Sequence, residues 1–251
     1  MKLQERLSLK GKNAFVTGGA GGIGSTTALY LAEMGANVCL VDIPATETRL
    51  QEIVAEIENF GVAGSYVLGD LSTVDGASSI LKDVISMLGA VHIVVSNAAI
   101  IHENDTMELN EIGWRETMAV NLDGMFYMNQ MFADSMKSGG IKGSIINVSS
   151  IAGIAPNGTE VMAYSVAKAG VTHLMRNMAL RYADAGIRFN SVSPGYVKTT
   201  MTEGYDVDER VLMGRMGESE EIAGTIAFLA SDASAYMTGS DLVVDGGYLI
   251  G

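Results

Sequence analysis

The stretch Thr17-Gly18-Gly19-Ala20-Gly21-Gly22-Ile23-Gly24 restricts the folds open to this chain more than any other. It follows residues 13–17, which read as a buried strand, and a helical pattern takes over at about Ser25. A strand, a glycine turn and a helix N-terminus in that order make an anion site, because the first N–H groups of the helix have no intrahelical partner and the helix dipole adds to their field. Side chains in the turn would hold a pyrophosphate away from the backbone, so the glycines have a chemical reason to be there. The feature predicts the start of a nucleotide-binding βαβ unit.

The next strand, 37–41, ends at Asp42, about 20 residues beyond the glycines, where a carboxylate accepts hydrogen bonds from ribose hydroxyls and repels a 2'-phosphate. No Lys or Arg lies within 18–24, and the first basic residue after Asp42 is Arg49, so the predicted cofactor is NAD rather than NADP. Leu50, Ile53, Val54 and Ile57 follow the spacing of an amphipathic helix that stops at Gly61. Leu81, Val84, Ile85 and Leu88 repeat it, with Ser72 as the expected cap, Asp75 three residues on, and Gly89 as the stop. Further strands are expected at 65–69, 91–95, 143–148, 187–192 and 242–244, and further helices over 110–136, from Tyr164 onward, and from Glu220 to about Ala230.

Strands alternating with helices predict an α/β fold: one domain over 1–251 with a Rossmann-like, doubly wound parallel sheet of about seven strands and helices on both faces. There is no repeat, low-complexity tract or Pro-rich linker to mark a boundary. Ligands of such sheets bind beyond the carboxyl ends of the strands, so Asp70, Asn97 and Ser150, each just past a strand, are expected on one rim. The segment 196–217 has no strand pattern, carries Met201, Met213 and Met216, and reads as a lid over that rim. Asn121 is a poor interior helix residue, which invites a side chain turned on neighbouring backbone or a bound water.

Tyr164 and Lys168 are four apart and share a helix face, so a positive charge stands beside a phenol and favours its ionised form. A formal charge of -13 argues against nucleic acid or an anionic membrane surface as a partner. Cys39 is the only cysteine, which excludes an internal disulfide and fits a reducing, cytoplasmic setting; its apolar run marks it as a small buried hydrophobe. His92, His102 and His173 have no metal-ligand spacing, and no metal is expected. No signal-peptide core is present, and no apolar run reaches the ~20 residues of a membrane helix.

Taken together, Thr17-Gly-x-x-x-Gly22-x-Gly24, Asp42, Asp70-Leu71, Asn97-Ala98-Ala99, Asn121, Ser150, Tyr164-x-x-x-Lys168 and Pro194-Gly195 with Thr199 resemble the classical short-chain dehydrogenase/reductase family over essentially the full length. The resemblance implies Tyr164 as general acid/base, Lys168 lowering its pKa and holding the nicotinamide ribose, Ser150 bonding the substrate oxygen, and Asn121 positioning a water in a proton relay. Ser149 is then structural. It also implies Gly18, Gly22, Ile23 and Gly24 on the pyrophosphate side, Asp70 and Leu71 at the adenine, Asn97 on the adenosine side, and Gly195, Val197 and Thr199 at the carboxamide, with a homotetramer as the assembly. Ala99 replaces the usual glycine, and the loop between Ser150 and Tyr164 is one residue longer than usual.

The segments 173–181, 187–199 and 237–248 resemble members acting on sugar alcohols and ketoses, so the expected activity interconverts a secondary alcohol and a ketone, foremost a polyol and a ketose. Candidate pocket residues are Ile101, His102, Asn157, Met162, Tyr196 and Met201. The methionines suit a bulkier apolar substrate, which keeps hydroxysteroid oxidation as the rival. A catalytically inactive NAD-binding sensor or scaffold is the alternative of another class.

Overall fold

Strand β1 (Asn13–Thr17) alternates its side chains between two buried faces: Ala14 and Val16 enter one apolar core, while Phe15 enters the other. β2 (Asn37–Asp42) does the same, with Val38 and Leu40 on the first side and Cys39 and Val41 on the second. A strand buried on both faces belongs in the middle of a parallel sheet covered by helices, and that is where both lie. This computed structural model describes residues 2–102, 111–156 and 161–251.

β3 (Gly64–Leu68), β4 (Ile93–Ser96), β5 (Ser144–Val148), β6 (Arg188–Pro194) and β7 (Asp241–Val244) complete a seven-stranded, wholly parallel sheet in the order β3-β2-β1-β4-β5-β6-β7. After the short α1 (Leu3–Leu7), the helices α2 (Gly22–Glu33), α3 (Glu47–Glu58) and α8 (Ser219–Ala230) cover the face holding Val16 and Leu40. α4 (Val74–Leu88), α6 (Met125–Ser138) and α7 (Met162–Tyr182) cover the other, where the Phe15 and Phe132 rings stack at 4.6 Å. Strand order reverses between β1 and β4, which opens a crevice at their carboxyl ends. The expected single-domain Rossmann-like sheet is what forms. No helix among the described residues is long and apolar enough to cross a membrane.

Local details depart from expectation. The cap of α4 is Thr73, whose Oγ1 accepts the Gly76 N–H, and not Ser72: the Ser72 N–H donates to Asp70 Oδ1 at 2.8 Å, which fixes the turn one residue earlier. α2 starts at Gly22, three residues before the apolar periodicity shows. The helical stretch expected over 110–136 divides into α5 (Glu111–Met118), a π turn (Ala119–Gly124) and α6, with residue 110 outside the described residues. Asn121 lies in that π turn, wholly buried, its amide clasping Ile100: Nδ2 donates to the Ile100 carbonyl and Oδ1 accepts its N–H, both at 2.8 Å. The anticipated reason for a mid-helix Asn is thus backbone recognition across 21 residues.

Candidate active site

The glycine turn is built for close approach. Gly18 has φ +65°, and a Cβ there would come within 2.8 Å of Ala98 Cα and Asn97 Nδ2. Thr17 Oγ1 accepts the N–H groups of Asn97 (2.9 Å) and Ala98 (3.0 Å), while Asn97 Nδ2 donates to the carbonyls of Thr17 and Gly18, both at 3.1 Å. These bonds join the end of β1 to the end of β4. Gly21 precedes α2 with no side-chain cap, and no acidic residue stands in its first turn, so the dipole end is left to a ligand. A Cβ on Gly24 would overlap the Gly18 carbonyl and crowd Asn97 Nδ2. Gly24 therefore packs the helix against the turn beneath the cradle and is not in the cavity wall.

A cavity of about 430 Å³ runs from this turn along the carboxyl edge of the sheet. Its wall takes in Gly18, Gly22, Ile23, Asp42, Asp70, Leu71 and Asn97 at one end and Ser150, Tyr164, Lys168, Gly195, Val197 and Thr199 at the other. Of the residues expected at the site, Gly24 and Asn121 stand behind the wall. Asp42 faces it with a fixed carboxylate: Oδ2 accepts the Ala20 N–H (3.0 Å) and Oδ1 the Ile43 N–H (2.8 Å). Among the described lining residues, Lys168 is the only Lys or Arg.

Ser149 and Ser150 have different surroundings. Ser149 is buried and bonds the Lys168 carbonyl (2.9 Å) and the Thr172 hydroxyl (3.0 Å), which seats α7 on the sheet. Ser150 opens onto the cavity, accepts the Ala152 N–H at 3.1 Å and is hydrogen-bonded to Tyr164. Lys168 is 1% exposed, donates from Nζ to the Val148 carbonyl at 2.8 Å, and lies 5.5 Å from the centre of the Tyr164 ring.

Burial pushes the Tyr164 phenol up to about 12, with the Ser150 hydrogen bond acting in the opposite direction, and brings the Lys168 ammonium down to about 7. The phenol thus moves against the direction expected from a lysine one turn away. The cause is the same desolvation on both groups: near pH 7 Lys168 is only partly charged, and its charge cannot outweigh the loss of water around the phenol. Part of Tyr164 still faces the cavity, although its hydroxyl region is desolvated. Cys39 is fully buried with its thiol raised to about 11, which makes it an inert core residue.

Among the candidate pocket residues, Ile101, Tyr196 and Met201 line the cavity; His102 and Met162 do not, and Asn157 lies outside the described residues. His102 Nε2 instead stands 2.7 Å from Glu116 Oε2. The sequence reading missed Ile100, Ile151, Val161 and Tyr205, which also line the cavity. They carry no motif; only their nearness to Asn97, Ser150, Tyr164 and Thr199 along the chain could have pointed to them.

A glycine cradle shares one cavity with a serine, a half-buried tyrosine and a buried lysine, and comparison with known proteins decides the family. The chain belongs to the short-chain dehydrogenase/reductase family. Residues 18–249 match the family profile described as enoyl-(acyl carrier protein) reductase. Cyclohexanol dehydrogenase of Acinetobacter sp. (strain SE19) is 39% identical over 94% of each chain. The 3-oxoacyl-[acyl-carrier-protein] reductase of Thermotoga maritima is 36% identical, over 97% of this chain and all of its own. A short-chain dehydrogenase/reductase from Mycobacterium marinum superposes with a TM-score of 0.95 at 35% identity, over the whole of both chains. A 7α-hydroxysteroid dehydrogenase solved with NADH and 7-oxo glycochenodeoxycholic acid gives 0.91 at 30% identity, over 98% of each chain. A putative 2-deoxy-D-gluconate 3-dehydrogenase from Agrobacterium tumefaciens with bound NADP gives 0.86 at 34% identity, over 97% of this chain and 98% of its own. Members of the family are oxidoreductases that use a nicotinamide cofactor, and the uncapped cradle of this chain fits one.

Proposed function

We propose that the protein is an NAD-dependent dehydrogenase of an apolar cyclic secondary alcohol. The observation that carries this is the lining of the cavity that holds Ser150 and Tyr164, to which Ile100, Ile101, Ile151, Ala152, Val161 and Met201 contribute aliphatic side chains and Tyr196 and Tyr205 aromatic ones. The similarity to cyclohexanol dehydrogenase points the same way. The sugar-alcohol expectation rested on the likeness of residues 173–181, 187–199 and 237–248 to members acting on polyols; His102, a polar pocket candidate, does not line the cavity. The choice of NAD is supported by the fixed carboxylate of Asp42 and by the lack of a second cation in that lining.

In this reading the N–H groups of Gly22 and Ile23 hold the pyrophosphate, Asp42 the adenosine ribose, Asp70 and Leu71 the adenine end, with Asn97 shaping the adenosine side. Gly195, Val197 and Thr199 hold the carboxamide, and Lys168 the second ribose. The bound cofactor supplies the hydride acceptor. Ser150 fixes the substrate oxygen, and Tyr164 Oη takes the hydroxyl proton in oxidation and returns it in reduction. Asn121 acts by clasping Ile100 and so holding the inner wall in place, with the expected relay water as part of the same proposal. A homotetramer belongs to the reading too; the exposed Val166 and Leu180 on α7 and Val243 on β7 are apolar surface that such an assembly would cover.

The test is NAD reduction by purified protein across cyclohexanols, hydroxysteroids and polyols, repeated with NADP, with light scattering for the assembly. Cyclic alcohols should exceed polyols by about tenfold or more in kcat/KM, a margin that apolar pocket contacts can supply. Preference for polyols would overturn the substrate class, preference for NADP would overturn the role of Asp42, and hydride transfer with any alcohol dismisses an inactive sensor.

A further inference from the structure

The wall formed by 196–217 carries a series of contacts that the hydride chemistry does not use. Asp208 Oδ1 accepts from Arg210 N (2.9 Å) and Nε (3.0 Å), and Oδ2 accepts from Nη2 (2.8 Å). This fork fixes the plane of the guanidinium. The guanidinium carbon lies 4.3 Å from the centre of the ring of Tyr248, a buried residue on the C-terminal turn. Tyr248 meets Tyr196 edge-on, with ring centres 5.6 Å apart at 64°, and the two side chains are hydrogen-bonded. Tyr196 lines the cavity. Ile151 and Val211 pack around Tyr248, and Met213 N–H donates to the Gly246 carbonyl at 3.0 Å, so the lid segment and the C-terminal turn hold each other.

A tyrosine at a cavity wall has two soft torsions, and the contact with Tyr248 restrains both: the hydroxyl has a partner and the ring edge has a surface. Tyr248 can serve as that surface only if it stays in place, and the flat guanidinium on its face holds it there. We propose that Asp208, Arg210 and Tyr248 are positioning residues that set the orientation of Tyr196 and thereby the size of cyclic alcohol the cavity admits. The proposal rests on the substrate end of the cavity assigned above, and it adds a specificity control outside the Ser150–Tyr164–Lys168 set. Lysine cannot replace Arg210 fully, because an ammonium cannot both fork a carboxylate and lie flat on a ring.

The experiment compares wild type, Arg210→Ala, Arg210→Lys and Tyr248→Phe at saturating NAD. The Tyr196 resonance is followed by fluorine NMR of 3-fluorotyrosine-labelled protein and assigned with Tyr196→Phe, a readout that needs no substrate. In Arg210→Ala this resonance should shift or broaden, with Arg210→Lys intermediate. KM for a bulky substituted cyclohexanol should change by about fivefold, the size of one cation–π contact read as a binding ratio, while kcat and KM for cyclopentanol stay within about twofold. Tyr248→Phe keeps the ring stack but loses the hydroxyl contact, and should move the resonance with a smaller change in KM. An unmoved Tyr196 resonance in Arg210→Ala overturns the proposal, as does a moved one with KM unaltered across the size series. If the wild type oxidises no cyclic alcohol, the substrate assignment falls by itself, and the resonance with a size series of the alcohol that is oxidised decides the role of Arg210.

Discussion

Lys168→Met should make the protein more stable at neutral and acidic pH while removing its turnover. The ammonium falls from the ordinary 10.5 to about 7 on burial, so between these values the unfolded chain holds a proton that the folded chain has released. Stability of the wild type therefore rises with pH across that window, and the full penalty is present below pH 7. At about 1.4 kcal/mol per pH unit, the penalty is about 5 kcal/mol at pH 6 and about 2 kcal/mol at pH 9. Met keeps the aliphatic stem but leaves the Val148 carbonyl, now bonded to Nζ at 2.8 Å, without its partner, at a cost of about 1–3 kcal/mol. The variant should thus be about 2–4 kcal/mol more stable than wild type at pH 6 and within about 1 kcal/mol of it at pH 9. Urea denaturation without cofactor, at one protein concentration and at pH 6, 7.5 and 9, reads the two curves. Parallel curves would refute the reasoning, since they would mean that Lys168 keeps its solution affinity for a proton inside the fold.

Tyr164→Phe removes the proton-transfer group but not the cavity wall; kcat should fall by about a thousandfold or more with NAD affinity, measured by titration calorimetry, within about threefold. Because the phenol is raised to about 12, its protonated form dominates from pH 7 to 10, so steady-state oxidation, which needs the phenolate, should climb over that range while reduction, which needs the phenol, stays level. An oxidation rate that is flat over that interval would contradict the assigned base. Gly24→Ala forces a methyl group against the Gly18 carbonyl, and should lower stability by about 2 kcal/mol or more together with a loss of NAD affinity. Wild-type melting temperature and affinity in that variant would remove the packing role given to Gly24.

The sheet was legible because most of its strands carry short apolar runs and its crossover helices carry regular spacing, both properties of single segments. Tyr164, Lys168, Ser150 and Asp42 were legible for another reason: each stands at a fixed offset from a strand end or helix turn, so placing the element places the side chain. What escaped were matters decided between segments. The π turn at Asn121 exists because its amide reaches the backbone of Ile100, and nothing within 110–136 announces that partner. The cap moved from Ser72 to Thr73 because Asp70 had already taken the Ser72 N–H. The direction of the Tyr164 shift depended on how much water the fold removes from Tyr164 and Lys168 together, which four-residue spacing does not encode.

The four hydrogen bonds joining Thr17 and Gly18 to Asn97 and Ala98 draw wholly on protein atoms. The seat proposed for the dinucleotide is therefore assembled when the chain folds, and its ordering entropy is settled before any guest arrives. In the proposed reading, exchange of oxidised for reduced cofactor leaves this corner of the backbone unmoved.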